Sequence, residues 1–274
     1  MRKIYAPLVA ACVCASAHAQ QAGDNVVTAG WIHVAPKDSS DPLTTHVAAT
    51  PINGPLGVPN AFTSAGTGLT VSNANTFGLN FTHFFSDHIA LTALGGVPPE
   101  FHINGFGTIQ PPGPSGALGS ENLSEPSNNP LVGKVRQWTL GAMLQYFFGQ
   151  ANARFRPFVG AGLTYSWFTN FELNPYFSQS LNNNLGSILA AGAGKPGPTS
   201  ISAKSSSTWT PIFNVGATWA FDKHWGINAS VSYMPMKTYA ETDIKAADGT
   251  LLAVSKAKLN ANPIITFVAV SYRF

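Results

Sequence analysis

The sequence predicts an all-β protein: an eight-stranded antiparallel transmembrane β-barrel with short periplasmic turns and long extracellular loops. Three observations predict it. First, charged residues make up only 10% of the 274 residues, against about 25% in ordinary soluble domains. Mean hydropathy is nevertheless only +0.08, and past the N-terminus no apolar run reaches the roughly 20 residues that a membrane helix needs. Second, eight segments carry apolar side chains at every second position, the period of a strand with two unlike faces. Third, the connections alternate long, short, long, short, long, short, long. An even strand number with short turns on one side and longer loops on the other is the pattern of bacterial outer-membrane barrels.

The N-terminus reads as an export signal. Arg2 and Lys3 precede an almost wholly apolar stretch from Ile4 to Ala15, and Ala17-His18-Ala19 fits a small-x-small cleavage site. Residues 1–19 are therefore expected to be a cleaved signal peptide, and residues 20–274 the barrel. Val9-Ala10-Ala11-Cys12 faintly matches a lipoprotein box, but it leaves an apolar region of only about eight residues. An uncleaved anchor helix would be too short for a bilayer. Both cysteines, Cys12 and Cys14, lie in the leader. Disulfides, thiolate metal sites and cysteine nucleophiles are then excluded from the mature chain. Formal charge is +3, of which Arg2 and Lys3 supply two, so nothing points to nucleic acid.

The first strand is Asn25–Val34, with Val27, Ala29 and Trp31 on one face, and the breaker cluster from Pro36 to Pro42 ends it. A long loop runs from Lys37 to about Asn75. The second strand, Thr76–Phe85, sets Phe77, Leu79 and Phe81 against Gly78, Asn80 and Thr82; Ser86-Asp87-His88 is a tight turn. The third runs from Ile89 to about Ile103, with Leu91, Ala93 and Val97 opposite Thr92, Leu94 and Gly96. Pro98-Pro99 implies a bend or bulge in it, because proline cannot donate to a ladder. A Pro-rich loop spans Gly105 to Lys134.

The fourth strand, Val135–Phe148, alternates most cleanly: Trp138, Leu140, Ala142, Leu144 and Tyr146 oppose Thr139, Gly141, Met143, Gln145 and Phe147. The fifth, Phe155–Phe171, sets Val159, Ala161, Leu163 and Tyr165 against Gly160, Gly162, Thr164 and Ser166. Glu172 to Lys204 is a loop with a short helix expected near Pro175 to Leu185. The sixth strand is Ser207–Phe221. The seventh runs from Trp225 to about Ile244, and the eighth from about Lys256, past Pro263, to Phe274. Aromatic residues gather at both ends of this band, as at the two interfaces of a barrel. The last strand must pair with the first, Val27, Ala29 and Trp31 included, to leave no edge.

Several segments together resemble the OmpW family of small outer-membrane barrels. They include Ala22-Gly23-Asp24, Gly78-Leu79-Asn80-Phe81, Arg156-Pro157-Phe158-Val159-Gly160-Ala161-Gly162 and the terminal Ser271-Tyr272-Arg273-Phe274. The resemblance implies a narrow, largely hydrophobic interior and passage of small hydrophobic molecules into or across the outer membrane. Loops one to three look long for the family. Val268, Val270, Tyr272 and Phe274 resemble the signal read by the barrel-assembly machinery.

An eight-stranded lumen is just wide enough to be packed by side chains or to hold one small ligand. The inward rows carry Thr92, Leu94, Met143, Phe147, Ile212, Met234, Met236, Ile265 and Phe267. All of these except Met236 are taken as conduit-lining residues. A packed plug and a hydrophobic conduit, open toward the loops or sideways to lipid, both fit such a row; the family resemblance favours the conduit. A surface receptor or adhesin acting through the long loops is an alternative, as is a lipid-modifying enzyme using His33 or His102 beside a serine and a carboxylate. No residue spacing requires catalysis, and no metal ligand pattern or cofactor is expected. The expected partners are outer-membrane lipids, lipopolysaccharide, the assembly machinery and small hydrophobic solutes; Lys134 and Arg136 read first as solvated charges outside the lipid band, with pairing near the mouth or contact to lipopolysaccharide phosphates as the alternative.

Overall fold

The computed structural model describes residues 20–50, 53–55 and 57–274; the expected leader lies outside the described residues. Eight strands form the barrel: β1 Asn25–Ala35, β2 Ala74–Phe84, β3 Ile89–Gly96, β4 Val132–Phe147, β5 Phe155–Leu173, β6 Thr208–Ala220, β7 Trp225–Tyr233 and β8 Ile264–Arg273. Each pairs antiparallel with the next, and β8 pairs back onto β1, so the barrel is closed. At the seam Val27 faces Tyr272, Ala29 faces Val270 and Trp31 faces Val268, as expected. Arg273 donates to Asp24 at 3.2 Å beside the last rung.

Period-two alternation sets the two faces. Leu79, Leu140, Leu144, Val215 and Val268 point outward and are about half exposed. An apolar band this wide around the whole molecule belongs in lipid. Phe85, Phe148, Phe155, Phe221 and Trp225 ring the short-turn end, while Trp31, Trp138, Trp209 and Tyr233 ring the other. His88 and His224 close two of the short turns, each donating from Nδ1 to a carbonyl, that of Phe147 and that of Arg273.

Above the band the expected architecture needs correction. Three strands read as continuous are each broken. The third stops at Gly96 and a separate strand, Glu100–Phe106, follows. The seventh stops at Tyr233, followed by Lys237–Lys245; the eighth is preceded by a separate Leu251–Asn260. The breaks fall at Pro98-Pro99, Pro235 and Pro263, where no backbone N–H is available. The long connections are not irregular loops. Ser200–Ser205, Lys237–Lys245, Leu251–Asn260, Thr44–Val47 and Ala61–Thr63 form a second sheet over the barrel mouth. Two short helices cover it, α1 Pro175–Leu181 and α2 Ser187–Gly192, joined by a π-helical turn at Asn182–Gly186. Asn174 caps α1 by accepting the Tyr176 N–H, with Pro175 pre-set at the first helical position. This cap has its own core, including Leu43, Phe62, Leu123, Phe177, Leu181 and Leu252.

Candidate functional site

The barrel interior is layered, with a polar belt set within the largely hydrophobic interior that the family resemblance implies. At the short-turn end Val26, Phe84, Ala90, Phe147 and Phe158 form a dry floor. The Phe147 ring lies 4.8 Å from Phe84 and 4.9 Å from Phe158, centroid to centroid. Arg156 is wholly buried beside them, 5.4 Å from the Phe147 centroid. Its guanidinium donates to the Gln20 carbonyl at 2.6 Å and to the Asp87 carbonyl, drawing the N-terminal segment across the mouth. This floor closes the lumen below.

A belt of hydrogen-bonded side chains lies above the floor. Thr82 bonds Thr92 at 2.8 Å, Thr92 donates to Gln145 at 2.5 Å, Gln145 donates to Asn214 at 3.1 Å, and Asn214 donates to Ser232 at 2.8 Å. Gln145 on β4 reaches Asn214 on β6 by crossing the face of β5. Glycine at 160 makes that possible, because a Cβ there would stand 2.8 Å from Gln145 Cγ. Each amide and hydroxyl of this belt thus finds a partner.

The belt lines a cavity of about 200 Å³ that reaches down to Phe158 of the floor. Seven of the eight expected lining residues face it: Thr92, Leu94, Met143, Ile212, Met234, Ile265 and Phe267. Phe147 does not; it faces inward but one layer lower, in the floor. Met236 lies beyond the end of β7, against Met234 and Ala261. Two smaller apolar cavities, of about 70 and 100 Å³, continue upward into the cap. Val34, Phe101 and Gln137 line both the lowest and the middle one; Leu69, Leu131 and Phe177 line both the middle and the upper one.

The cavity also reaches the lipid face. β3 and β4 are paired from Ile89–Tyr146 to Leu94–Gly141, and pairing resumes at Glu100–Arg136. Between these points five residues, Gly95 to Pro99, lie opposite four, Gln137 to Leu140. Pro98 and Pro99 have no N–H to offer, so the ladder lapses. One bond, Gln137 N–H to Pro99 O at 3.1 Å, crosses the interval. Outward-facing Phe77, Val97, Trp138 and Leu140 belong to the cavity wall here, so the wall is open between β3 and β4. The β3 side stays anchored to β2, with Val97 N–H donating to Phe77 O at 2.8 Å. Glu100 clips the top of the gap, accepting from Arg136 at 2.6 Å and lying 3.2 Å from Lys134.

The remaining candidates lie elsewhere. His33 bonds Asn75 at 2.9 Å and stacks on Trp31; His102 bonds the Gly133 carbonyl. Neither ring bonds a serine or a carboxylate among the described residues, and the His102 backbone N–H donates to Ser72 Oγ at 2.9 Å. Among the described residues, no group of three or more His, Cys, Asp or Glu could hold a metal. Val268, Val270 and Phe274 are outward and exposed, and Tyr272 is half-buried between His224, Trp225 and Phe274. Sequence reasoning missed Arg156 and the belt. Arg156 was detectable by parity, since it shares the inward row with Phe158.

Closed antiparallel pairing, an even strand number, a lipid-facing band and two aromatic rings define an integral membrane β-barrel. The OmpW family model matches residues 21–274, so the chain belongs to the OmpW family. It is similar to outer membrane protein W of Vibrio cholerae serotype O1, with 28% identity over 271 residues, 97% of this chain and 96% of the relative. Outer membrane protein W of Escherichia coli K12 is 25% identical over 259 residues, covering 94% and 92%. The fold is similar to the crystal structure of the outer membrane protein OprG from Pseudomonas aeruginosa, with a TM-score of 0.67 at 20% identity, covering 94% of this chain and 99% of that one. The protein is an outer-membrane protein. In such barrels the short turns face the periplasm and the longer loops the exterior.

Proposed function

We propose that this protein is a passive conduit that takes small apolar molecules from the exterior and releases them sideways into the outer membrane. The observation that carries this reading is the cavity's shape: closed toward the periplasm by Arg156 and three phenylalanine rings, open toward lipid between β3 and β4. A molecule that reaches it can leave into the bilayer without crossing the floor. Its apolar surface moves from water to lipid, which drives the transfer without an energy source. The cap suits entry, because its cavities share walls with the one below.

The test is transfer of an apolar fluorescent tracer into bilayers whose outer leaflet is lipopolysaccharide. Protein-containing bilayers take it up faster than empty ones, and Leu94→Asp or Phe267→Asp, each placing a carboxylate in the cavity, abolishes the gain. Equal uptake with and without protein refutes the proposal.

A further inference from the structure

We infer that the molecules this cavity accepts are uncharged amphiphiles, each a small apolar body with one hydroxyl or carbonyl group, in preference to pure hydrocarbons or ions. The inference rests on the conduit reading and sharpens it to a substrate class.

Three observations carry it. The first is charge. Among the described residues lining the 200 Å³ cavity there is no Asp, Glu, Lys, Arg or His. A charged solute would enter a desolvated space with nothing to pair it, which costs several kcal/mol. The second is a set of unused polar groups. Thr28, Asn80, Asn228 and Ser230 line the cavity, and among the described residues none of their side chains makes a hydrogen bond. They differ in this from the neighbouring belt, where Gln145, Asn214 and Ser232 are mutually satisfied. An asparagine amide offers two donors and an acceptor. Filling the space with hydrocarbon strips those groups of water and gives nothing back. A hydroxyl or carbonyl replaces that water.

The third is placement. The unused groups sit on one side of the barrel, on β1, β2 and β7. Between Asn228 on β7 and β2 the facing residues are small, Asn228 facing Ala269, Ala269 facing Gly30 and Gly30 facing Gly78, and Ile32 and Phe267 pack over Gly78. The opposite wall is Met143, Ile212 and Met234, and the side door is lined by Phe77, Val97 and Leu140. One polar group can therefore dock at the side that carries Thr28, Asn80, Asn228 and Ser230 while the apolar body occupies the rest.

The test uses three probes of one ring size, toluene, benzyl alcohol and benzoate, with the protein in lipid nanodiscs and empty nanodiscs as reference. Binding is read by ligand-detected NMR on wild type and on the double variant Asn80→Leu, Asn228→Leu. The inference predicts that the variant weakens benzyl alcohol about tenfold, the worth of one net hydrogen bond, leaves toluene unchanged or tighter, and that benzoate binds neither. In wild-type protein labelled with 15N-asparagine, benzyl alcohol shifts the Asn80 and Asn228 side-chain amides and toluene does not. That second readout stands even if the variant fails to fold. Equal losses for benzyl alcohol and toluene, unmoved amides, or bound benzoate overturn the inference while leaving a conduit for apolar molecules intact. If neither toluene nor benzyl alcohol binds wild type, the conduit reading falls with it.

Discussion

Closing the side door should stop transfer while leaving the floor, the belt and the far wall of the cavity in place. The door exists because five residues face four and two of the five are prolines. Deleting Pro99 and replacing Pro98 by Val equalises the two segments and restores a donor. Four facing pairs in an antiparallel ladder carry about four hydrogen bonds, and one crosses the interval now. About three are gained, at roughly 1 kcal/mol each net, so the closed wall is favoured by ~3 kcal/mol, a shift of about a hundredfold. The assay pairs tracer uptake with amide hydrogen exchange at Gln137 to Leu140. Uptake falls by about that factor while those amides become protected. Pro98→Ala alone leaves five facing four and keeps the door open. Protected amides with undiminished uptake would refute the lateral route.

Further outcomes follow from the layers above and below the cavity. Glu121, fully buried in the cap, accepts from Asn128 at 2.9 Å and from Ser180 and Asn184 at 3.0 Å each, tying the segment before β4 to α1 and the turn after it. Burial raises its carboxyl above the ordinary 4.5; a raised folded value means its stabilisation is complete in acid and lost as pH climbs through that value. Protection factors of residues 175–192 should therefore fall as pH rises from about 4.5, and Glu121→Gln should flatten the profile; a rise would contradict this. Arg156→Leu strands the Gln20 and Asp87 carbonyls, and after relief of the guanidinium's desolvation the net cost is about 2–4 kcal/mol in urea unfolding; an unchanged midpoint would show that desolvation cancels the hydrogen bonds. Gly160→Val drives a side chain into Gln145 and breaks its bond to Asn214, for about 1–3 kcal/mol, whereas Ala161→Val, on the lipid face, should cost less than about 0.5 kcal/mol.

The barrel was legible in the sequence because the membrane imposes a strict rule on each strand. Every outward row had to be apolar, so Val27-Ala29-Trp31 and Val268-Val270-Tyr272 could be paired before any coordinates. The same rule stops at the lipid boundary. Alternation continues through Lys237–Lys245 and Leu251–Asn260, where it serves the cap sheet, and so strands seven and eight read as too long. Strands of three or four residues such as Ala61–Thr63 carry too few positions to show a period. Within the lumen, parity placed the inward side chains correctly but said nothing of height. Phe147 and Met143 share a row, yet one seals the floor and the other faces the cavity. The polar belt was hidden for another reason: its hydrogen bonds join residues far apart in sequence, such as Gln145 and Asn214.

The lateral route itself is tested most directly by photolabelling. An apolar diazirine probe is added to the outer face of membranes holding the protein, activated, and mapped by mass spectrometry. The route described here predicts adducts at Leu94, Met143 and Phe267 and at the door residues Val97, Trp138 and Leu140, above the even background along the remaining lipid face. Adducts at the floor residues Phe84 and Phe147 and on the N-terminal segment Gln20–Gly23, with none at the door, would show that the molecule passes through the floor instead.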